Sequence, residues 1–209
     1  MNSISVFVAL LSVLPALLIL AYLGFTYRRC FLYGLLGALG WALALGMRMP
    51  LIMLPISLFG LSLALTIRFA LYTSFLAGLF EEFTRFALIH SLKPKGMREV
   101  ASIGLGWGLF EALVVYLIPV VPFMGFLNPT ALLLGAMERN SAIAIHVGLS
   151  FVIAKAMKNR WLIITALLAH YLVDAMASIM LRLHGPLLAE LVISLMALAL
   201  LIPSILSYK

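Results

Sequence analysis

The chain has 209 residues, of which 65% are hydrophobic and only 10% are charged, and its mean hydropathy is +1.20. Because soluble domains carry about 25% charged residues, this composition excludes an ordinary soluble protein and indicates an integral membrane protein. The isoelectric point of about 9.9 does not indicate a nucleic-acid partner, since the basic residues fall mostly in short segments between apolar runs. The single cysteine, Cys30, excludes an intrachain disulfide and a zinc site built from cysteines.

Membrane spans are the first elements expected along the chain, and each needs about 20 apolar residues. Six clear candidates occupy residues 4–25, 31–47, 103–121, 130–154, 161–181 and 187–206. The first run is too long for the core of a signal peptide and has no small-residue cleavage signal, so we interpret it as a span. The chain is therefore expected to be all-α, a polytopic helix bundle that forms a single membrane domain over residues 1–209.

The stretch between Arg48 and Lys93 allows either one further span or two. Pro50 and Pro55 favour a short interfacial or re-entrant segment near 49–60, followed by a single span. With one span, the basic clusters all fall on the same face of the membrane, which the positive-inside rule assigns to the cytoplasm. These clusters are Arg28-Arg29, then Lys93, Lys95 and Arg98, then Lys155, Lys158 and Arg160, and finally Lys209. We therefore predict about seven spans in the cell membrane, with the N-terminus outside and the C-terminus in the cytoplasm.

Six ionisable side chains fall near the middle of four predicted spans. At about 1.5 Å per residue, each lies about 15 Å, or one turn further, from the cytoplasmic end of its helix. They are Glu81, Glu82, Glu111, His146, His170 and Asp174. A charge at this depth costs about 2.5–3.5 kcal/mol, so such residues normally face the bundle interior and pair. We expect them to form one buried polar cluster, which water reaches through a cavity open to the cytoplasm.

The spacing of these groups along their helices indicates which of them interact. Arg85 lies four residues after Glu81 and three after Glu82. It can therefore pair with either carboxylate and leave the other able to activate water as a general base. Asp174 lies one helical turn after His170, so its carboxylate could orient the imidazole.

The two histidines have two interpretations that the sequence leaves open. His146 and His170, with Glu111 as the candidate carboxylate, give a set that suits zinc. Alternatively, both imidazoles donate hydrogen bonds to an oxyanion and no metal is bound. A buried Glu–Arg pair, or a single membrane histidine with its hydrogen-bond partner, also has a purely structural interpretation when it is taken alone, as a tether between buried helices. The gathering of six polar groups at one depth favours a functional site.

Four motifs follow one another in the central part of the chain. They are EEFTR from Glu81, GLGWGLFEA from Gly104, MERNSAIAIHVGLS from Met137 and AHYLVDA from Ala169. Together, over residues 65–174, they resemble the YhfC-like family of intramembrane metalloproteases, which is similar to the clan of CAAX-processing endopeptidases. The resemblance implies a catalytic set of Glu81, Glu82, Arg85, His146, His170 and Asp174. The family motif has a histidine where this chain has Trp107, and that departure favours a member without enzymatic activity.

Three functions follow from these observations. The leading hypothesis is an intramembrane endopeptidase, in which Glu81 or Glu82 deprotonates a water that attacks a peptide carbonyl. Its substrate would be a membrane protein or a lipidated or apolar peptide. The second hypothesis is a non-catalytic scaffold that binds transmembrane helices. The third is a small proton-coupled transporter, since aligned Glu, His and Asp side chains also suit proton transfer.

Overall fold

The computed structural model describes residues 3–124 and 126–208. Within these ranges every element of regular secondary structure is helical, which confirms the expected all-α class. The helices are α1 (Ser3–Leu10), α2 (Leu14–Thr26), α3 (Arg28–Phe59), α4 (Ile67–Leu92), α5 (Met97–Glu111), α6 (Ile118–Val120), α7 (Pro129–Ala156), α8 (Trp161–His184) and α9 (Pro186–Leu206). A 3-10 turn, Leu61–Leu65, precedes α4, and a π-helical segment, Ala112–Leu117, joins α5 to α6.

Several of these helices are able to span a membrane. By length and apolar composition, four segments qualify: α3, the continuous stretch Met97–Phe123, α8 and α9. Helices α1 and α2 would make a fifth, bent by 53° at the break between them. Helices α4 and α7 have 26 and 28 residues, which is long enough for a bilayer core of about 30 Å, but charged residues interrupt their apolar runs. Seven spans therefore stay a prediction.

Residues 49–60 do not form the separate re-entrant segment that the prolines favoured. Helix α3 runs without a break through Pro50 and Pro55 to Phe59. Pro55 has no N–H to donate to the carbonyl of Leu51 one turn earlier. The hydroxyl of Tyr72, from α4, donates to that carbonyl at 3.0 Å. A side chain from a neighbouring helix thus replaces the lost backbone bond, which is why the helix tolerates this proline.

Glycines allow α3, α5 and α7 to approach one another closely. A Cβ atom at Gly37 would collide with the carbonyl oxygen of Ile103, and one at Gly106 with the carbonyl oxygen of Gly34. On the other face of α5, a Cβ at Gly104 would collide with the backbone of α7. Small residues at helix contacts are how membrane helices bring their backbones together. This close packing fixes α5 between α3 and α7 and so positions the side chains at its C-terminal end.

The basic clusters gather at one end of the bundle, which we call the basic end. Arg28, the first residue of α3, lines the same cavity as Lys95, in the loop between α4 and α5. Lys155, in the last turn of α7, donates a hydrogen bond to Ser207, which follows α9. Tyr208 lies near the α5 residue Glu99: burial raises the pKa of its hydroxyl, and this carboxylate adds to the effect. The shared end agrees with the predicted grouping; Lys209 lies outside the described residues.

The opposite end of the bundle, which we call the far end, carries the remaining connections. It contains the turn Leu61–Leu65 between α3 and α4, the α6–α7 connection and the α8–α9 connection. Arg182, near the end of α8, donates a hydrogen bond to the carbonyl of Leu65 and so links two of these connections.

Candidate functional site

The structure brings all seven predicted site residues into one polar network inside the bundle. Helix α4 contributes three of them, α8 two, and α5 and α7 one each. They are Glu81, Glu82 and Arg85, then His170 and Asp174, then Glu111 and His146. The sequence prediction that these groups meet in the interior is therefore confirmed in geometry. Their separation along four helices is what fixes the size of the cluster.

Glu82, Arg85 and His146 form the buried half of this network. Glu82 and Arg85 are fully buried, and their charged groups lie 3.1 Å apart. The other terminal nitrogen of Arg85, Nη2, lies 2.8 Å from His146 Nδ1. Because a guanidinium can only donate, Nδ1 accepts this bond and the proton of the neutral ring sits on Nε2. Arg85 therefore fixes both the position and the tautomer of His146.

His146 is in turn hydrogen-bonded to Glu111 at the end of α5. Its Nε2 donates to Glu111 Oε2 at 2.6 Å, and Trp41 Nε1 donates to the same oxygen at 3.1 Å. The other carboxylate oxygen of Glu111 lies 3.0 Å from Arg139 Nη1. Arg139 also pairs with its neighbour Glu138. Glu111 thus accepts hydrogen bonds from three side chains on two other helices and anchors α5 to α3 and α7.

Glu81, His170 and Asp174 form the cavity half of the network. His170 Nδ1 lies 2.7 Å from Glu82 Oε1, and since Glu82 is paired with Arg85, the imidazole donates this bond. Nε2 of the neutral ring then carries a free lone pair. It lies 3.9 Å from Glu81 Oε2 and 3.7 Å from Asp174 Oδ2. Polar atoms separated by more than 3.5 Å are suited to bridging by water, so this corner can hold one.

Trp107 and Arg48 complete the surroundings of Glu81. Arg48 Nη1 lies 2.6 Å from Glu81 Oε1, and Trp107 Nε1 donates to Glu81 Oε2 at 2.8 Å. The Trp107 ring also lies under the guanidinium of Arg85, with 4.5 Å between Cζ and the ring centroid. Trp107 therefore contacts both halves of the network. The indole N–H of Trp107 thus supplies a donor to the network, although indole cannot bind a metal.

A cavity of about 300 Å³ lies against the cavity half. Besides site residues it is lined by small and hydroxyl side chains of α4 and α8. These are Thr73, Ser74 and Ala77, then Ala177 and Ser178, and the larger side chains of Ile52 and Val115 also line the cavity. All of them lie between the network and the far end along their helices. Asp174 has 38% of its side chain exposed there, so the cavity is open.

The basic end is closed off from the network by apolar packing. Ile89, Ile103, Leu149 and Ile153 lie between the two, each at most 1% exposed, and pack in one core cluster. Water thus reaches the site from the far end. The expectation of a cavity open on the side of the basic clusters is wrong, because large branched side chains fill that side of the bundle. On the other side, small side chains of α4 and α8 leave room for the cavity.

The network has more acidic groups than arginines, the cations that keep their charge at any pH. Five of the seven acidic residues of the chain belong to it, together with three arginines. The acids are Glu81, Glu82, Glu111, Glu138 and Asp174, and the arginines are Arg48, Arg85 and Arg139. An uncompensated buried charge is costly, so we expect the network to hold additional protons. Exchangeable protons beside a water-accessible cavity suit acid–base chemistry.

A metal ion is the other way to balance this charge. Glu81, Glu111 and His146 each offer a ligand atom, and these atoms lie within 4.8 Å of one another, so this group could hold a metal. Two of the predicted ligands belong to it, and Glu81 replaces His170. However, a histidine ligand normally donates its second ring N–H to an acceptor. His146 Nδ1 instead accepts from Arg85, which leaves no lone pair on Nε2. The distances fit a metal, but the hydrogen bonding does not.

Comparisons with family models, with curated proteins and with solved structures find no match to this chain.

Three donors of the network were not predicted from the sequence: Arg48, Trp41 and Arg139, which donate to Glu81 or Glu111. Arg48 follows an apolar run directly and was taken as the edge of a span. The signal that could have found both arginines is the surplus of intramembrane carboxylates, since each buried carboxylate needs a donor.

Proposed function

We propose that the protein is a membrane-embedded hydrolase that cuts peptide bonds, as its resemblance to the YhfC-like family implies. One observation carries the proposal. The imidazole of His170 is oriented by a buried carboxylate, and its free nitrogen faces an open cavity between two further carboxylates. An acceptor nitrogen held by a buried acid is the arrangement that activates water or a hydroxyl in hydrolases.

The reaction begins with a water between His170 Nε2, Glu81 Oε2 and Asp174 Oδ2. His170 takes a proton from this water as the new C–O bond forms at the peptide carbonyl carbon, and the carbonyl electron pair moves onto oxygen. The proton then passes from His170 to the amide nitrogen, the carbonyl re-forms, and the C–N bond breaks. Products are a carboxylic acid and an amine, so that one water is consumed for each bond cut.

Other residues of the network support this chemistry without meeting the substrate. Glu82 does not line the cavity and is fully buried. It is therefore a positioning residue that holds His170, rather than the base itself. Arg48 and Arg139 do line the cavity, and their positive charge favours the oxyanion that forms during attack. The hydrogen bond from Arg85 to His146 argues against a metal, so no step uses zinc.

Membrane orientation decides which substrates reach the site. We infer about seven spans, with the basic end in the cytoplasm and the N-terminus outside. The cavity then opens toward the outer side of the cell membrane. A stretch of a membrane protein, or an apolar peptide arriving from that side, fits this access better than a lipidated cytoplasmic protein. A transporter would need a path to both sides, and the apolar layer at Ile89 and Leu149 argues against one.

The test uses the full chain in liposomes with a pool of apolar peptides, read by mass spectrometry in ¹⁸O water. We expect new C-termini that carry ¹⁸O. His170→Gln should lower the rate about 10²-fold or more, whereas the matched control His184→Gln, at the end of α8, should keep it. A wild-type chain that cuts no peptide but retains a transmembrane helix would indicate a scaffold. Equal rates for His170→Gln and wild type would exclude this mechanism.

A further inference from the structure

A group of cations at the basic end has no role in the proposed hydrolase. The turn between α2 and α3 and the start of α5 together line a surface cavity of about 560 Å³. Its cations are Arg28, Arg29, Lys95 and Arg98. Among the described residues, none of them has a carboxylate within 4.0 Å. Four unpaired cations on two adjacent turns make this a site for an anion.

The acid in this cavity does not neutralise the cations. Glu99 is turned toward the backbone and accepts a hydrogen bond from the N–H of Lys95 at 2.6 Å. Arg98 is held over the ring of Tyr27, with 4.0 Å between Cζ and the ring centroid. Stacking on an aromatic ring fixes the plane of a guanidinium and leaves its edge free to donate. The site is thus partly organised before any anion arrives.

An apolar groove adjoins this basic cavity. It has a volume of about 510 Å³ and is lined by Ala21, Gly24, Phe25 and Phe31, together with Arg28. Phe25 is 92% exposed and Phe31 63% exposed, as expected of side chains that face lipid. Arg28 lines both cavities. An occupant with one anionic part and one apolar chain would fill them together.

We propose that this end of the bundle binds one anionic phospholipid, with its phosphate at Arg28, Arg29, Lys95 and Arg98 and an acyl chain in the groove against Phe25 and Phe31. The proposal depends on insertion of the chain in a membrane, which the long apolar helices support. It does not depend on the hydrolase. Anionic lipids are attracted to basic residues at a membrane surface by about fivefold in affinity for each cation. A free phosphate would fill the basic cavity but leave the groove empty.

The test counts lipids bound to the purified full chain by native mass spectrometry. Phosphatidylglycerol is titrated against phosphatidylcholine, which has the same acyl chains but no net charge. We expect at least one phosphatidylglycerol to bind preferentially. The double variant Arg28→Gln/Arg98→Gln should weaken it about 25-fold. The control Arg160→Gln removes a cation outside both cavities and should change affinity little. Equal binding of the two lipids by wild type would overturn the proposal.

Two further variants separate the lipid from a free anion and from misfolding. Ala21→Phe fills the groove and keeps every charge, so it should weaken phosphatidylglycerol binding but not the binding of inorganic phosphate. Competition by millimolar phosphate that removes the lipid completely, with Ala21→Phe behaving as wild type, would assign the site to phosphate instead. Arg28→Lys/Arg98→Lys keeps the charge and should retain the lipid preference; loss of preference in this variant as well as in the Gln pair would overturn the charge-based assignment.

Discussion

The two halves of the polar network use the same residue types for different purposes. The buried half, Glu82, Arg85 and His146, makes short direct hydrogen bonds and does not line the cavity beside His170. In the cavity half, His170 Nε2 stays more than 3.5 Å from the facing oxygens of Glu81 and Asp174. A fully satisfied buried network rigidifies its surroundings. The buried half therefore acts as a support, and the gaps in the cavity half leave room for water.

This division also explains how a carboxylate pair on adjacent residues can serve one site. Neighbouring positions on a helix point about 100° apart, so Glu81 and Glu82 reach different partners. Glu81 faces Arg48 and the cavity. Glu82 faces Arg85 and His170 Nδ1, the ring nitrogen that points away from the cavity half. One glutamate is thus available to the cavity and the other holds the base. Changes to the two halves should have separable effects on stability and on activity.

The largest effect is expected from removing the cation of the buried half. Arg85→Met leaves Glu82 without its ion pair and His146 without its donor in a closed interior. Removing one partner of a buried pair costs about 3–5 kcal/mol, so the free energy of unfolding should fall by that amount in a detergent denaturation series. Arg160→Met, at the basic end, should change it by less than about 0.5 kcal/mol. Equal stability of the two variants would contradict the supporting role.

A substitution in the cavity half is expected to lower the rate of hydrolysis and to have a smaller effect on stability. Asp174→Asn keeps the shape of the side chain but removes a charge beside the water position, so hydrolysis should slow about 10²-fold. Because Asp174 is 38% exposed, the free energy of unfolding should change by less than about 1 kcal/mol. Glu190→Gln, a buried carboxylate of α9, is the matched control and should leave hydrolysis unchanged. If Asp174→Asn instead lowers the free energy of unfolding and leaves the rate of hydrolysis unchanged, Asp174 supports the fold and has no part in the chemistry.

The sequence was sufficient to find seven residues of the polar network, although not the donors Arg48, Trp41 and Arg139. Depth along a helix is a local property, set by the rise per residue, so Glu81, His146 and His170 could be placed at one level before any packing was known. The helical class followed from composition in the same way. Grouping of the basic clusters at one end followed from counting spans, and contacts such as that of Arg28 with the α4–α5 loop agree with it.

What the sequence did not reveal depends on contacts between helices. Pro55 inside α3 is tolerated because Tyr72 of α4 bonds the freed carbonyl, and no local rule contains that partner. The direction of the cavity was missed for a similar reason. It depends on Leu149 filling one side of the bundle while Ala177 lines the other. The bridging role of Trp107 required knowing that its side chain, carried by α5, reaches Glu81 on α4.

Access to the cavity half can be tested by labelling. In a Cys30→Ser background, Ala177→Cys should react with a membrane-impermeant maleimide at least about tenfold faster from the side of the far end. Lys95→Cys should react only from the side of the basic end. Leu149→Cys, in the apolar layer, should react from neither side. Labelling of Ala177→Cys from the basic side would contradict the direction of the cavity and restore access from the cytoplasm.

The smallest effect concerns Trp107, which contacts both halves. Trp107→Phe removes its hydrogen bond to Glu81, but Arg48 still pairs with that carboxylate and an aromatic ring still lies under Arg85. We therefore expect a loss of only about 1 kcal/mol in the free energy of unfolding, against less than about 0.5 kcal/mol for the exposed control Trp161→Phe.

Trp107→Leu removes the ring as well, so its additional cost, about 0.5–2 kcal/mol for a buried cation–π contact, measures what the buried half gains from the stacking. If Trp107→Phe costs as much as Trp107→Leu, the hydrogen bond to the cavity half carries the whole contribution. The ring would then contribute nothing to the support of Arg85. The difference between these two variants thus separates the contribution of the ring to the buried half from that of the hydrogen bond to the cavity half.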